Sequence, residues 1–387
     1  MRYPISITAL SSISALGQTR EEVWQNYLFK SALFSEMLIG EHTIKVSKIS
    51  SEMQQALSKM QDENPAFKHL DRTVLLALMA SETLNGAANF RSKRTGVNIG
   101  SSRGATGLFE KYYDQFKLDE TVSVFTSPTT TLGNLSSSVA QFLGIQGVQI
   151  DQSVTCSTAM HALLNGIAWL QADMADAFIV GGSEAALTPF TIAQMKALRL
   201  YSTSQSKMAC ESMRFQKTKN TMILGEGSAL AVLERGIKEN ALAVISGYGF
   251  ASEALQHHSS ISENADCFQK SMHMALENAG LKTVDAIVMH APGTVKGDKA
   301  EKNAIDMIFG RQLPLLTSNK WMVGHTFATS GMLSLELATL MLEHNKFIEN
   351  PFYGNSRHLP EQLKTVMVNA VGFGGNAVSI IILKPHF

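Results

Sequence analysis

GVQIDQSVTCSTAMHALLNGIAWLQ, residues 147–171, runs from an apolar, β-branched segment straight into a helical pattern rich in small residues, with a cysteine at the junction. The segment 147–154 reads as a strand and 157–172 as a helix. Cys156 therefore stands where a strand gives way to a helix, followed by Ser, Thr and Ala that leave the turn unshielded. A thiol at a helix N-terminus meets unpaired N–H groups and the positive end of the helix dipole, which favour the thiolate. The same N–H groups can stabilise the oxyanion formed when a thioester is attacked. A buried structural thiol is the ordinary alternative, and placement alone leaves both readings open.

The alternation continues on either side. Residues 95–102, 176–184, 228–235, 242–250, 285–291, 365–373 and 376–384 read as further strands, and the N-terminal segment as a first strand and turn. Helical patterns cover 70–88, 134–143, 266–279, 298–309 and 325–344. Several strands are apolar throughout, as in sheets covered on both faces, so the fold class is α/β with mainly parallel strands. The plan of 153–171 recurs in SNKWMVGHTFATSGMLSLELATLML, 318–342, and both halves close with a strand pair. A boundary near 235–241 divides the chain into two similar units, 1–237 and 238–387.

Composition narrows the function classes. Of 387 residues, 45% are hydrophobic and 17% charged, enough to bury a large core. Lys plus Arg equals Asp plus Glu, 33 each, which gives no reason to expect a nucleic acid or a membrane surface as partner. No run approaches the ~18 apolar residues of a membrane span. Three cysteines, Cys156, Cys210 and Cys267, suit free thiols in a reducing compartment, so the cytoplasm is expected.

Two of the 11 histidines stand at element ends. His290 closes the apolar run DAIVM and enters the tight loop HAPGT; His325 follows Gly324 at the start of a small-residue helix. Open α/β sheets place their sites in such loops. A helix N-terminus disfavours imidazolium, so His325 should remain neutral and donate N–H to a developing oxyanion. Metal ligation is weakened by the lack of a close-spaced ligand pair around either histidine. His257 and His258 read as loop residues. GFGG, 372–375, after the run VMVNAV, is a turn that lets backbone approach a ligand closely; it lacks the Lys and Ser/Thr of a phosphate loop.

In this order the motifs resemble the β-ketoacyl-acyl-carrier-protein synthases of fatty acid and polyketide assembly, and the resemblance spans almost the whole chain. LDRTVLLALMASETL (70–84), VTCSTAMHAL (154–163), DAFIVGGSEAALTP (176–189), ILGEGSALAVLE (223–234), HAPGTVKGDKAE (290–301), SNKWMVGH (318–325) and NAVGFGG (369–375) carry it. It implies a thiolase-like fold, two similar α/β halves in a five-layered αβαβα arrangement. It implies decarboxylative Claisen condensation, with Cys156 as nucleophile and His290 and His325 as donors to the malonyl thioester carbonyl. Lys320 with Glu301 would hold the charge network around His325, and Asp298 would support the loop of His290. Backbone N–H groups of Cys156 and Phe373 would form the oxyanion hole, with Phe373 gating malonyl entry and Gly374 beside it near the substrate. No metal or redox cofactor is implied. The implied partners are an acyl carrier protein and a second synthase subunit in a homodimer or heterodimer, VFTSPTTTLGNLSSSVAQFLG (124–144) resembling the interface stretch. A chain-length-factor-like, non-catalytic subunit is the alternative; such subunits typically lack the cysteine. A CoA thiolase would carry a second cysteine motif, which is missing.

The chain also departs from the family. Ala291 and Pro292 replace the usual Gly and Thr, leaving Thr294 as the hydroxyl that would touch the pantetheine arm. ESMRFQKTKNTM, 211–222, puts Lys219 and Asn220 at the family's Arg and Asp positions, and Trp321 follows Lys320 where a small residue is usual. These departures point to a specialised pathway such as polyketide or aryl-polyene assembly. Arg103, in NIGSSRGATGLFE (98–110), falls beside the implied acyl channel, where many members have a small or apolar residue. A guanidinium is not buried there unpaired, so it either turns to solvent or meets a polar partner.

Overall fold

The computed structural model describes residues 3–84, 94–132, 134–254, 261–355 and 359–385. In the first half the strands are β1 (Ile5–Ile13), β2 (Ser35–Ile39), β3 (His42–Val46), β4 (Thr95–Gly100), β5 (Gln149–Ile150), β6 (Ala177–Glu184) and β7 (Gly227–Arg235). Its helices are α1 (Arg20–Phe29), α2 (Ser51–Glu63), α3 (Arg72–Leu84), α4 (Thr106–Asp119), α5 (Thr126–Thr130), α6 (Asn134–Leu143), α7 (Thr158–Gln171) and α8 (Pro189–Ala197). The second half contributes β8 (Ala243–Ala251), β9 (Ala286–Val288), β10 (Leu315–Thr317), β11 (Thr365–Gly372) and β12 (Asn376–Leu383). With them come α9 (Asp266–Ala279), α10 (Val295–Phe309), α11 (Lys320–Val323) and α12 (Ser330–Glu343).

Ten of these strands form two sheets of five, ordered β1-β7-β6-β4-β5 and β8-β12-β11-β9-β10; β2 and β3 form a separate hairpin. Counted from the first strand of each half, the two orders are the same, so the faint sequence repeat is a full repeat of topology. The parallel content is lower than the apolar runs suggested. Within each sheet two pairings are parallel and two antiparallel, because the strand pair that closes each half runs back along the sheet.

Burial explains why these strands are apolar on both faces. Leu75, Leu78 and Leu84 of α3 and Val139 of α6 cover the outer face of the first sheet against Val97, Ile179 and Val232. Phe268 and Met272 of α9 and Ile305 of α10 cover the outer face of the second sheet against Ile287, Met367 and Ile381. Between the sheets lie α7 and α12, with Leu163, Ile167, Leu333 and Leu337 among Phe178, Val180, Val368 and Ile380. The result is helix, sheet, helix, sheet, helix, five layers in all. A helix enclosed on all sides must be apolar or small-residue all round, and α12 is buried from Ser330 to Leu342. It touches α7 through Gly331, where a Cβ would come within 2.3 Å of Met160 Cγ.

Some boundaries differ from the periodicity, each for a local reason. Only 149–150 of the expected strand 147–154 is paired. Beyond it the Gln152 carbonyl still accepts from the Ser101 N–H at 3.3 Å, but the Asp151 side chain turns to the Ser136 N–H at 2.9 Å and Val154 N–H donates to Thr158 Oγ1 at 2.8 Å, so the regular ladder ends. The helix expected at 298 starts at Val295, because Thr294 caps it by accepting from the Gly297 N–H. The helix expected over 325–344 becomes a 3-10 turn at Phe327–Thr329 followed by α12. Residues 85–88 of the expected helix 70–88, together with His257 and His258, lie outside the described residues. Among the described residues no helix is long and apolar enough to cross a membrane.

One buried acid makes the core sensitive to pH. Glu336 of α12 faces β1, where Ser12 Oγ lies 2.9 Å from both carboxylate oxygens. Burial, partly offset by that hydroxyl and by Arg20, raises Glu336 from 4.5 to about 7. Between those values the folded protein keeps a proton that the unfolded chain has released. The associated stability is therefore complete below the lower value and is lost as pH rises through the upper one. Glu336→Gln, which mimics the protonated acid, should leave stability unchanged at acid pH. Above neutrality it should raise stability by on the order of 3 kcal/mol in urea unfolding. An equal effect at both ends would show that the carboxyl does not titrate in the fold.

Candidate active site

The nucleophile candidate sits in a strained turn. Thr155 has φ of +48°, unusual for a β-branched residue. Its carbonyl is fixed by Ser102 Oγ and Thr158 Oγ1, both at 2.6 Å. Cys156 follows, buried, in the 3-10 turn Thr155–Ser157 that leads into α7. The β11–β12 hairpin reaches this turn because Gly372 has no side chain: a Cβ there would lie 2.1 Å from Thr155 Oγ1 and 2.5 Å from the Val154 carbonyl. Its tip is Phe373, followed by Gly374 and Gly375 with φ of +93° and +69°.

Both histidines come to the same place. The His290 and His325 rings lie edge to face, centroids 5.3 Å apart. Two carboxylates build the His290 loop. Glu301 of α10 accepts from the His290 and Ala291 N–H groups at 3.0 and 2.9 Å. Asp298, one turn earlier, accepts from the Gly293 and Thr294 N–H groups at 3.0 and 3.1 Å. The other Asp298 oxygen takes the Met213 N–H and the Lys217 ammonium, the latter at 2.6 Å with both side chains buried. His325 is held differently, its Nδ1 at 2.9 Å from Ser330 Oγ. That hydroxyl accepts from the Thr326 N–H and lies 3.1 Å from Thr326 Oγ1; the tautomer in which Ser330 donates to Nδ1 puts the His325 proton on Nε2. His290 Nδ1 is buried without a hydrogen-bond partner among the described residues.

Lys320 is fully buried, with Nζ 3.2 Å from Asn319 Oδ1 and from Ser334 Oγ. The resemblance put Glu301 with Lys320 around His325. Instead Glu301 bonds the His290 loop and the Asn369 amide, and reaches Lys320 only through its charge. Burial pushes Lys320 down to about 8 and Glu301 up to about 7. Burial and the Lys320 charge together hold His325 down to about 3. Burial, then His325 and Lys320, put His290 well below the usual imidazole range. Both rings are neutral at pH 7, chiefly through burial.

The thiolate expected at Cys156 is not favoured at rest. Burial, reinforced by Glu184, pushes the thiol up to about 12 against the opposing charges of Arg103 and Lys320. Glu184 is a residue the motifs did not single out. It ends β6, fully buried, and accepts from Ser101 Oγ and the Ser102 N–H at 2.8 Å and from the Ala328 N–H at 3.2 Å. A carboxylate closing an apolar strand, as in IVGGSE, was the available signal. Lys217 was likewise missed inside 211–222. Asn220 is there too, accepting from the Val295 N–H at 2.9 Å.

Two cavities meet at Cys156, Phe327 and Phe373. The larger, about 930 Å³, is lined by His290, His325, Thr294 and Gly374, with Lys196 and Lys219 among its basic residues. The smaller, about 460 Å³, contains Arg103, Glu110 and Gln194. Arg103 meets a polar partner, donating from Nη1 to Gln194 Oε1 at 2.5 Å, with its guanidinium 5.1 Å from the centre of the Phe327 ring. Phe373 is 37% exposed and borders both cavities. Among the described residues no cluster of His, Cys, Asp and Glu is arranged to hold a metal ion. The arrangement offers a thiol, two neutral imidazoles and two entrances to one reaction centre.

Known proteins share this plan. Residues 2–238 match the family described as Beta-ketoacyl synthase, N-terminal domain, and residues 242–351 match its C-terminal domain. A 3-oxoacyl-[acyl-carrier-protein] synthase 2 of Coxiella burnetii is 28% identical, over 98% of both chains. A 3-oxoacyl-[acyl-carrier-protein] synthase 1 of Buchnera aphidicola is 25% identical over 98% of this chain and 99% of its own. A solved ketosynthase in complex with its chain length factor, from Xenorhabdus doucetiae, superposes with a TM-score of 0.83 at 24% identity, covering 99% of this chain and 98% of that one. A type II PKS acyl-carrier protein in complex with its ketosynthase matches at a TM-score of 0.84 and 20% identity over the full length of both chains. At these identities the solved structures establish a thiolase-like ketosynthase fold.

The raised thiol gives a direct test in the free protein. Alkylation of Cys156 by iodoacetamide, followed by peptide mass spectrometry, should be slow near pH 7 and still accelerating at about pH 9. A rate that levels off near neutrality would mean that the turn stabilises the thiolate after all.

Proposed function

The chain belongs to the β-ketoacyl synthase family, and from that premise we propose how its own residues perform the decarboxylative condensation of an acyl thioester with a malonyl thioester. The observation that carries the assignment is the convergence of Cys156, His290 and His325 on one cavity, with the two rings 5.3 Å apart and neutral. The acyl group arrives on the phosphopantetheine arm of an acyl carrier protein, past Thr294 and Gly374. Cys156 Sγ bonds to the acyl carbon, and the carrier thiol leaves with the proton. The backbone N–H groups of Cys156 and Phe373 stabilise the oxyanion of that step. The acyl chain then occupies the smaller cavity.

The malonyl thioester enters by the larger cavity, with Phe373 as the gate between the two. His290 and His325 donate N–H to its thioester carbonyl. Loss of carbon dioxide leaves an enolate whose charge falls on that oxygen, where preorganised donors act most strongly. Its carbon attacks the acyl-Cys156 ester, the C–S bond breaks, and the thiol recovers a proton as the β-ketoacyl thioester departs. These steps need no metal and no redox group. Lys320 acts by its charge, Asp298 and Glu301 by holding the His290 loop. Retention of Cys156 beside both histidines favours this reading over that of a chain-length-factor-like subunit. The protein is placed in fatty acid or polyketide-type biosynthesis in the cytoplasm.

Cys156→Ala should abolish condensation and leave the fold intact, the thiol being a reactant. His290→Ala and His325→Ala should each lower malonyl decarboxylation by roughly 10²–10³-fold while single-turnover acylation falls far less. Acylation that collapsed while decarboxylation survived would reverse these roles.

The protein is also assigned to a twofold dimer, homo or hetero. Leu118, Val122, Val124 and Leu132 around α4 and α5 are exposed apolar residues within and beside segment 124–144. An apolar face of this kind suits a second subunit. Light scattering should report a dimer for the chain alone or with a related synthase subunit; an active monomer in both cases would remove the assignment.

A further inference from the structure

The smaller cavity is unusual for a space expected to take an alkyl chain. Its walls include Phe109, Phe190, Phe327 and Phe373, which suit a hydrocarbon. Its polar groups do not. Arg103 is anchored at both ends: its N–H points to Glu184 Oε1 at 3.3 Å, and Nη1 donates to Gln194 Oε1 at 2.5 Å. The guanidinium carbon also lies 5.1 Å from the centre of the Phe327 ring, within cation–π range. Among the described residues Nε and Nη2 make no hydrogen bond, so the guanidinium keeps donors to spare. Glu110 lines the same cavity, and its Oε1 is buried with no partner among the described residues. Thr155 Oγ1, next to the nucleophile, is in the same condition.

A saturated chain entering this space would strip water from the spare Arg103 donors and return nothing. Leaving buried polar groups unpaired costs far more than an ordinary hydrogen bond gains. An acyl group that carries oxygen reverses the balance. A hydroxyl both accepts from Arg103 and donates to Glu110; a keto oxygen accepts from Arg103. A terminal carboxylate would meet the Glu110 side chain and be opposed by it. Resting on the synthase reading above, we propose that Arg103, Gln194 and Glu110 form a polar acyl subsite. It selects neutral, oxygen-bearing acyl groups over saturated chains of the same length.

The test compares four six-carbon probes as N-acetylcysteamine thioesters: hexanoyl, hydroxyhexanoyl and oxohexanoyl with the oxygen on the penultimate carbon, and adipoyl. Transfer forms the Cys156 Sγ–acyl bond and releases N-acetylcysteamine with the proton, and intact mass follows it in a single turnover. The hydroxy probe should acylate the wild-type chain roughly tenfold faster than hexanoyl, the worth of one hydrogen bond to a charged group. The oxo probe should fall between them and adipoyl should be slowest. Arg103→Met and Gln194→Leu should each shrink the advantage, and Arg103→Met should speed hexanoyl. Equal rates for all probes in the wild type would overturn the subsite and leave the synthase reading standing. So would adipoyl as the fastest probe, or a preference that survives both substitutions. Failure of every probe to acylate Cys156 would bring down the synthase reading and this proposal with it.

Discussion

The close contact between α7 and α12 is the constraint on which the site depends. Only a glycine at 331 lets the two central helices meet, Met160 occupying the space a side chain would fill. Each helix is entered by a 3-10 turn, Thr155–Ser157 in one half and Phe327–Thr329 in the other. The first residue of each turn is left-handed, with φ of +48° at Thr155 and +44° at Phe327. The two turns are thus the same structure used twice, with Cys156 in one at the place Ala328 takes in the other. The buried Glu184 carboxylate then ties the Ala328 N–H to the loop of Ser101 and Ser102. Duplication supplied two helix entrances, and only one of them carries a thiol.

That geometry explains what could be read from the sequence. Cys156, His290, His325 and the Gly-rich turn all lie at ends of elements, where a break in periodicity marks the position. The repeat of strand order was visible only faintly, because it is kept by which faces are buried and not by residue identity. The strand direction within each sheet was not legible: an apolar strand covered on both faces looks alike in a parallel or an antiparallel pairing. The strand into Cys156 was overread for a related reason, since the Val154 N–H is taken by the Thr158 hydroxyl at a position where a β-pattern continues.

Charges were the least legible part. Lys217 looked like one basic residue among several in a polar stretch, and only the fold buries it on Asp298. The resemblance put Glu301 with Lys320 around His325, but the partner of its carboxylate depended on which loop α10 faced. The protonation of Cys156 is a sum over burial, Glu184, Arg103 and Lys320, residues from widely separated parts of the chain. A helix dipole argument sees only one local contribution to that sum, which is why it pointed to the thiolate.

These charges also fit together. Lys320 is the buried cation whose field falls on both histidines and on the thiol, and no carboxylate is paired with it among the described residues. Burial, with the Lys320 charge added to it, holds the imidazoles neutral, which lets them offer N–H groups to an enolate without carrying full charge. The same field favours any anion formed in the cavity, thiolate or enolate alike. Burial and Glu184 counter it at the sulfur. A thiol kept neutral until a thioester arrives leaves the His290 and His325 donors unoccupied. In the proposed reaction, therefore, the pocket's preference for negative charge is reserved for the oxygen of the malonyl-derived enolate, with burial first and Glu184 second keeping the thiol neutral.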